Sequence, residues 1–345
     1  MRFSFCGTFQ PIKDKKLVEV GVGKNKKPYV KLKFIVNTGS DYAFVDAFAT
    51  EQDELRITDR DNNKYDLPWA DRFNSDVLSR SIHNFVVGGF GERQVFLSQY
   101  DQIKYLEKVL ADYNGKLIIT GRTNKSYYNG RWYDNYTIQN VYAASEKDKP
   151  RLYIQGDIIY NKDCVDTSIY AKDRILSVNG YIEQYIDKDH PNALVPQVFV
   201  FNASKINKED PAQEAALSFR EACLIPKSKT KWYKLRWEMI LKNGQEEIEW
   251  DESQLTDFQR AAYKTGMWDL DEFKPTKKIY GERITELRLT KPILRDDYLN
   301  GPVEFGDEEA VESLIYRPGQ VITSDKTKEL DIFGQDSSDL DDLFE

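Results

Sequence analysis

Hydrophobic and polar residues alternate with a period of two over much of the chain, which predicts a protein built mainly from β-strands. The clearest case is the segment 115–145, where two runs rich in Ile, Thr, Tyr and Val flank Asn129-Gly130. This dipeptide accepts the two positive φ angles of a type I′ turn, so the segment predicts one long β-hairpin. Its apolar face is expected to be buried and consists of Leu117, Ile119, Tyr127, Trp132, Tyr136 and Ile138.

The opposite face of this hairpin is polar. A two-residue turn fixes the cross-strand partners, which are Tyr128 with Arg131, Ser126 with Tyr133, Asn124 with Asn135, Arg122 with Thr137, and Thr120 with Gln139. These side chains share one side of the sheet. Arginine, asparagine and tyrosine on one exposed face are suited to stacking bases and neutralising phosphates.

The elements that precede the hairpin predict the type of barrel. Three strands are expected in FSFCGTFQPI, PYVKLKFIV and SDYAFVDAFA, and a polar excursion at 51–80 follows them. A helix is expected from about Ser98 to Asn114-Gly115, because the apolar period changes there to 3.6. Three strands, one helix and a hairpin is the element order of an OB-fold barrel, although a β-sandwich accepts the same strands.

The same order of elements occurs a second time after the charged link at 146–150. Strands are expected in RLYIQGDIIYN, RILSVNGYIEQYI and LVPQVFVFNAS, and Asp210-Pro211 then begins a helix. A second two-residue turn is expected at Asn243-Gly244, and ERITELRLTKP supplies a last strand after a helical insertion. We interpret this as an internal repeat of two OB-like units.

These patterns predict a mainly β fold with a minor α component. It contains two OB-like β-barrel domains, each with an inserted helix, and a disordered acidic C-terminal tail. The predicted divisions are a first domain at 1–145, a second domain with a helical insertion at 151–300, an extension at 301–328 and the tail at 329–345.

The distribution of charge changes the meaning of the net charge of −8. Residues 1–145 hold 21 Lys and Arg against 17 Asp and Glu, whereas residues 329–345 hold 7 acidic residues and no basic ones. A mobile anionic tail can compete with nucleic acid for a basic groove and, once displaced, recruit replication or recombination proteins. The predicted partner-binding residues of the tail are Asp339, Leu340, Asp341, Asp342, Leu343 and Phe344.

The predicted nucleic-acid site combines the polar face of the hairpin with a basic segment of the first domain. Its cations would hold phosphates and its tyrosines would stack bases, which predicts sequence-tolerant binding of single-stranded DNA without catalysis or a cofactor. The alternative is that these side chains only decorate a solvated sheet face. The candidate residues are Lys24, Lys26, Lys27, Tyr29, Lys31, Lys33, Arg122, Lys125, Tyr128, Arg131 and Tyr133.

Two other functions stay open at the sequence level. A metal-dependent DNA-processing enzyme or subunit would need clustered carboxylates, for which Asp157, Asp163, Asp166 and Asp173 are candidates. A phage structural or adaptor protein would use the same Tyr- and Asn-rich surfaces for protein contacts.

Cysteine content and hydropathy favour the cytoplasm over secretion or a membrane. Cys6, Cys164 and Cys223 are widely spaced and odd in number, which argues against a disulfide framework and a zinc site. The segment MRFSFCGTF has no long apolar stretch, and no apolar run of about 18 residues occurs. For a phage-encoded protein, the compartment would be the cytoplasm of the bacterial host.

The segment GRTNKSYYNGRWYDNYTI and the tail DSSDLDDLFE resemble those of the replicative single-stranded DNA-binding proteins of bacteria and bacteriophages. Two OB-like units in one chain make the phage type the nearer resemblance. The resemblance implies an OB-fold protein that binds single-stranded DNA in replication, recombination or repair and contacts partner proteins through an acidic tail.

Overall fold

The computed structural model is dominated by β-strands and describes residues 1–207, 209–226, 228–248, 252, 255–274 and 279–318. Residues Met1–Ile315 form one compact unit, and Tyr316–Glu345 form a second unit. Only residues 316–318 of the second unit are described. The predicted acidic tail at 329–345 and residues 319–328 of the predicted extension therefore lie outside the described residues.

The first part of the chain contains ten strands and two helices. In chain order they are β1 (Arg2–Gln10), β2 (Val18–Val22), β3 (Pro28–Asn37), β4 (Tyr42–Thr50), β5 (Glu54–Thr58), β6 (Lys64–Pro68), α1 (Ser75–Arg80), β7 (Phe85–Gly88), β8 (Gln94–Phe96), α2 (Gln99–Leu110), β9 (Lys116–Tyr128) and β10 (Arg131–Ala143). The sequence analysis missed β2, which pairs along β3.

Five of these strands close into a barrel. Strand β1 pairs antiparallel with both β3 and β9, β3 pairs with β4, and β9 pairs with β10. A parallel contact between β4 and β10 closes the circuit. Helix α2 lies between the third and fourth barrel strands, begins after the Ser98 cap and buries Ile103, Leu106 and Leu110. This is the five-stranded Greek-key arrangement of an OB-fold, so the predicted fold class is confirmed.

The second part of the chain repeats the circuit. Its elements are β11 (Arg151–Tyr160), β12 (Val165–Asp166), α3 (Tyr170–Asp173), β13 (Ile175–Gln184), β14 (Ala193–Asn202), α4 (Pro211–Leu224), β15 (Lys231–Ile248), α5 (Asp257–Lys264), β16 (Ile279–Pro292), β17 (Val303–Asp307) and α6 (Glu308–Glu312). Strand β11 pairs with β13 and β15, β13 pairs with β14, and β15 pairs with β16. A parallel contact between β14 and β16 closes this barrel as well.

The polar excursion forms a separate small layer beside the first barrel. Strands β5 and β6 pair only with each other, as a two-stranded sheet. They bury a small core of Leu55, Ile57, Leu67 and Leu97. The prediction that residues 51–80 lie outside the barrel framework is confirmed.

The long hairpin has the predicted turn and most of the predicted register. Asn129 and Gly130 have φ angles of 45° and 80°, as a type I′ turn requires. The partners run as predicted from Arg131 opposite Tyr128 to Thr137 opposite Arg122. A β-bulge then shifts the register, so Thr120 faces Asn140 and the predicted partner Gln139 is wrong.

The face predicted to be buried is buried only toward the base of the hairpin. Tyr136 and Ile138 are inside the barrel together with Leu117 and Ile119. Tyr127 is exposed and Trp132 is half-buried near the tip, where their rings meet at 5.3 Å. The predicted burial of the two tip aromatics is wrong, because the hairpin extends beyond the barrel that would cover them.

The two barrels are joined by a strand pair and by reciprocal contacts. Residues 2–6 of β1 pair antiparallel with residues 151–155 of β11. Near the tip of the β9–β10 hairpin, the backbone amide of Lys125 donates to Gln184 Oε1 at 2.7 Å, and Gln184 Nε2 donates to the Lys125 carbonyl at 2.8 Å.

A second contact between the barrels involves the turn after β3. Lys242 of β15 pairs there with the Asp41 carboxylate at 2.7 Å. The predicted domain boundary at 146–150 stays a prediction.

Asn243-Gly244 is not a turn, which corrects the sequence analysis. Both residues lie within the continuous strand β15, and β16 is its partner. The Asn243 amide donates to Asp41 Oδ1 at 3.1 Å, and a Cβ on Gly244 would lie 1.9 Å from the Ser40 carbonyl oxygen. Glycine is required here because the turn after β3 approaches the backbone of β15 too closely for a side chain.

Replacing Gly244 with Ala should destabilise the protein, because the added methyl group collides with backbone rather than with a movable side chain. We expect the free energy of unfolding to fall by about 1–3 kcal/mol in chemical denaturation. Gly306→Ala is the matched control, since its added Cβ would meet Ala310 at an ordinary 3.4 Å. Equal stability of the two variants would contradict the close approach of the two barrels.

Candidate nucleic-acid interface

A continuous outward face runs across β3, β4, β10 and β9 of the first barrel. Register partners place Lys33 beside Asp46, Asp46 beside Thr137, and Thr137 beside Arg122. Residues paired in this way point to the same side of a sheet, and four strands span about 14 Å. The closed barrel thus brings the predicted basic strand and the predicted hairpin face onto one surface.

The aromatic side chains of this face come mainly from β4, and the sequence analysis missed them. Phe44 and Phe48 point outward with 43% and 54% of their surface exposed. Tyr29 on β3 lies 5.6 Å from the Phe48 ring, and Tyr42 lies 5.7 Å from the Phe44 ring. Exposed rings on one face of a strand can serve as stacking platforms for bases.

Residues of β4 that face inward are small. Ala43, Val45 and Ala47 are buried, while the bulk of the core comes from other strands and from α2. The alternation of large aromatic residues with small aliphatic ones along β4 was therefore a sequence signal for the exposed rings. Hydrophobicity alone does not distinguish the two faces of such a strand, because both are apolar.

The predicted lysines differ in their exposure and in their contacts. Lys24 and Lys26 are exposed in the β2–β3 turn, and Lys27 pairs with Asp53 at 2.6 Å. Lys31 and Lys33 are half-buried on the face itself. The Lys33 ammonium lies 5.7 Å from the centre of the Phe44 ring, and burial lowers the pKa of Lys33 although Asp46 opposes that shift.

Tyr29 contacts Glu19 as well as Phe48, with its hydroxyl donating to the carboxylate at 2.8 Å. The contact holds the ring at the edge of the face. Two neighbours therefore fix the orientation of the Tyr29 ring. Such contacts favour an aromatic surface that is already formed before a ligand binds.

The remaining hairpin candidates lie further out. Arg122 is exposed beside Thr137, whereas the other three lie nearer the tip. Tyr133 is about 13 Å along the strand from Arg122, and Tyr128 and Arg131 are about 20 Å from it. Arg131 is exposed, and Tyr128 and Tyr133 are half-buried. The structure therefore brings Arg122 together with the β3 residues and does not bring the tip residues to the same place.

Lys125 is buried, with 8% of its surface exposed. Its ammonium donates to Gln197 Oε1 at 2.6 Å and to Asp134 Oδ1 at 3.0 Å. The side chain therefore faces the second barrel and stabilises the junction, so we remove Lys125 from the candidate interface. The sequence analysis included Lys125 among the candidate residues, and it could not foresee that the second barrel covers this cation.

A cleft of about 370 Å³ continues the face beyond Phe48. It lies between the barrel and the excursion, and its lining includes Thr50, Trp69, Phe85 and Gln99. Arg72 covers the Trp69 ring at 4.5 Å and pairs with Asp101. The cleft is mostly apolar, so it extends the surface available to a stacked base rather than the surface available to phosphates.

The corresponding face of the second barrel has a different character. Its outward residues on β13 and β14 include Asn179 and Val198, and Val198 is 52% exposed. Arg288 on the adjacent strand donates to Glu286 at 2.8 Å, and Lys234 pairs with Glu183. Cations with carboxylate partners neutralise phosphates poorly, so this face is a weaker candidate for DNA.

The aspartates of the alternative enzymatic function have other contacts. Asp157 accepts from Arg236 at 2.6 Å, and Asp163 lies 3.7 Å from the Lys229 ammonium. In the part of the chain that the structure describes, no three His, Cys, Asp or Glu side chains come together as a metal site. The helices in that part of the chain are also too short or too polar to cross a membrane.

No protein-family model matches the chain, and neither does any curated protein. The chain is similar to the solved structure of the wild-type single-stranded DNA binding protein from Thermus aquaticus, with 6% identity, a TM-score of 0.31 and coverage of 70% of this chain and 84% of that one. A deletion mutant of the same protein gives 7% identity, a TM-score of 0.28 and coverage of 70% and 86%. TM-scores this low do not establish a common function. Any function proposed for this protein must therefore rest on its own residues.

Asp46 is the one acidic residue in the row that joins Lys33 to Arg122. Burial raises the pKa of its carboxyl above the ordinary value of 3.8, although Lys33 and Lys31 partly offset this shift. A group whose pKa is raised by folding binds its proton more tightly in the folded state. The charged Asp46 carboxylate therefore lowers the free energy of unfolding. This loss grows as pH rises through the pKa that Asp46 has in the folded protein.

Replacing Asp46 with Asn should stabilise the protein at pH 7 by about 1 kcal/mol, because the variant removes a half-buried charge at a site of nearly equal shape. The gain should shrink as pH falls toward 4, where Asp46 itself becomes protonated. Urea denaturation at the two pH values measures both effects. A variant less stable than the wild type at pH 7, or a gain independent of pH, would show that the charge is well accommodated.

Proposed function

We propose that the protein binds single-stranded DNA on the outward face of its first barrel, without catalysis and with little dependence on sequence. The observation that supports this proposal is the placement of exposed Phe44 and Phe48 between Lys31 and Lys33 on one side and Arg122 on the other. Aromatic rings accept any base by stacking, and the flanking cations neutralise phosphates.

The finer proposal is a role in phage DNA replication or recombination, in which residues 329–345 regulate access to the face and recruit partner proteins. Its support is the sequence alone. The acidic tail complements the positive charge of residues 1–145, and Leu340, Leu343 and Phe344 are set among its aspartates. The tail is tethered, so its local concentration near the face would be high even if its intrinsic affinity were low.

Titration of a labelled oligothymidine with Phe44→Ala and Phe48→Ala tests the proposed face. Each stacked base contributes about 1–3 kcal/mol, so each variant should bind about 5-fold to 150-fold more weakly than the wild type. Binding by the wild type should also weaken steeply as salt rises, because phosphate neutralisation releases counterions. Fluorescence anisotropy at low and high salt measures both quantities.

Phe219→Ala is the matched control for that titration. Phe219 lies on α4 of the second barrel and is 49% exposed, close to the exposure of the two test residues. The control should bind as the wild type does. Failure of the wild type to bind at low salt would refute the proposed function, and an equal loss in all three variants would refute the location of the site.

A further inference from the structure

Asp46 lies at the centre of the candidate interface. It is two residues from Phe44 and two residues from Phe48 on the same side of β4, and about 7 Å separates the Cα atoms at each step. Lys33 is its partner on β3, and Thr137 is its partner on β10. The Asp46 carboxylate therefore lies within reach of the edge of a base that stacks on either phenylalanine.

The structure shows no ion pair at the Asp46 carboxylate among the described residues, whereas three other aspartates each pair closely with a cation. Asp41 pairs with Lys242 at 2.7 Å, Asp134 with Lys125 at 3.0 Å and Asp157 with Arg236 at 2.6 Å. Lys33 and Lys31 act on Asp46 only through longer-range attraction, and its own backbone amide is its hydrogen-bonding contact. The oxygens of Asp46 thus keep acceptor capacity that the fold does not use.

A carboxylate at this position opposes both stability and phosphate binding. Burial raises its pKa, and a negative charge repels a polyanion. Among the described residues, Asp46 forms no ion pair and, lying inside β4, caps no helix, so neither structural role accounts for a carboxylate at this position. A positioned acceptor between two stacking platforms is, however, suited to reading the edge of a base.

We propose that Asp46 accepts a hydrogen bond from the exocyclic amino group of a base stacked on Phe44 or Phe48. The inference rests on the proposed function and adds a base preference to it. An ionised carboxylate only accepts hydrogen bonds, so it favours cytosine, whose N4 amino group donates. Uracil and thymine present a carbonyl oxygen at the same position, which the carboxylate repels.

Oligodeoxycytidine and oligodeoxyuridine are the sharpest pair of probes. The two pyrimidines have the same size and both lack the thymine methyl group, so stacking and apolar contact differ little between them. At pH 8 the wild type should bind the cytidine oligomer more tightly, by a factor on the order of five. In Asp46→Asn the ratio of the two affinities should fall to about one, because an amide can both donate and accept.

Glu107→Gln is the control for the change of charge. Glu107 is an exposed residue of α2 outside the face, and its replacement alters the net charge of the protein by the same amount. This variant should keep the cytidine preference of the wild type. Circular dichroism of each variant checks that the fold is retained.

The results of these titrations distinguish a missing base preference from a failure to bind DNA, which is the proposed function. A wild-type ratio near one, or an unchanged ratio in Asp46→Asn, would overturn the base-reading role while leaving DNA binding intact. Equal tightening for both oligomers in Asp46→Asn would show that the carboxylate only repels phosphates, which also overturns it. Absence of binding to either oligomer would refute the proposed function and the inference together.

Discussion

The parallel contact between β4 and β10 closes the first barrel, and the candidate interface depends on it. Its register pair, Asp46 with Thr137, sets the aromatic strand beside the long hairpin. The contact is short because a bulge after Ile138 turns β10 toward β7, where Asn140 Oδ1 accepts from the Val86 amide at 3.0 Å. Without this closure, β4 and β10 would be the two opposite edges of the sheet, and the aromatic rings of β4 would not lie beside the hairpin that carries Arg122.

The two barrels share one strand arrangement but carry faces with different chemistry. The first face exposes aromatic rings beside cations, while cations near the second face, such as Arg288 and Lys234, are held by carboxylates. The barrels share the β1–β11 pair and also contact one another where Lys125 meets Gln197 and where Lys242 meets Asp41. Such a junction fixes the orientation of the first face, so the second barrel can act as support without binding DNA itself.

Local rules predicted much of the fold, and contacts between distant segments account for what they missed. The Asn129-Gly130 turn was predictable because both φ angles depend on those two residues alone. Asn243-Gly244 has the same composition but lies within a strand, because the other barrel presses against it. Lys125 is buried for the same reason. Phe44 and Phe48 were missed because a strand with two apolar faces does not reveal which one is covered.

Photochemical crosslinking of a bound oligothymidine, followed by mass spectrometry of the crosslinked peptides, tests the central claim most directly. The account predicts crosslinks within residues 29–50 and 117–137, with Phe48, Phe44 or Tyr29 as attachment sites, because these rings lie on the exposed face of the first barrel. Crosslinks confined to the second barrel, at residues 151–292, would contradict it.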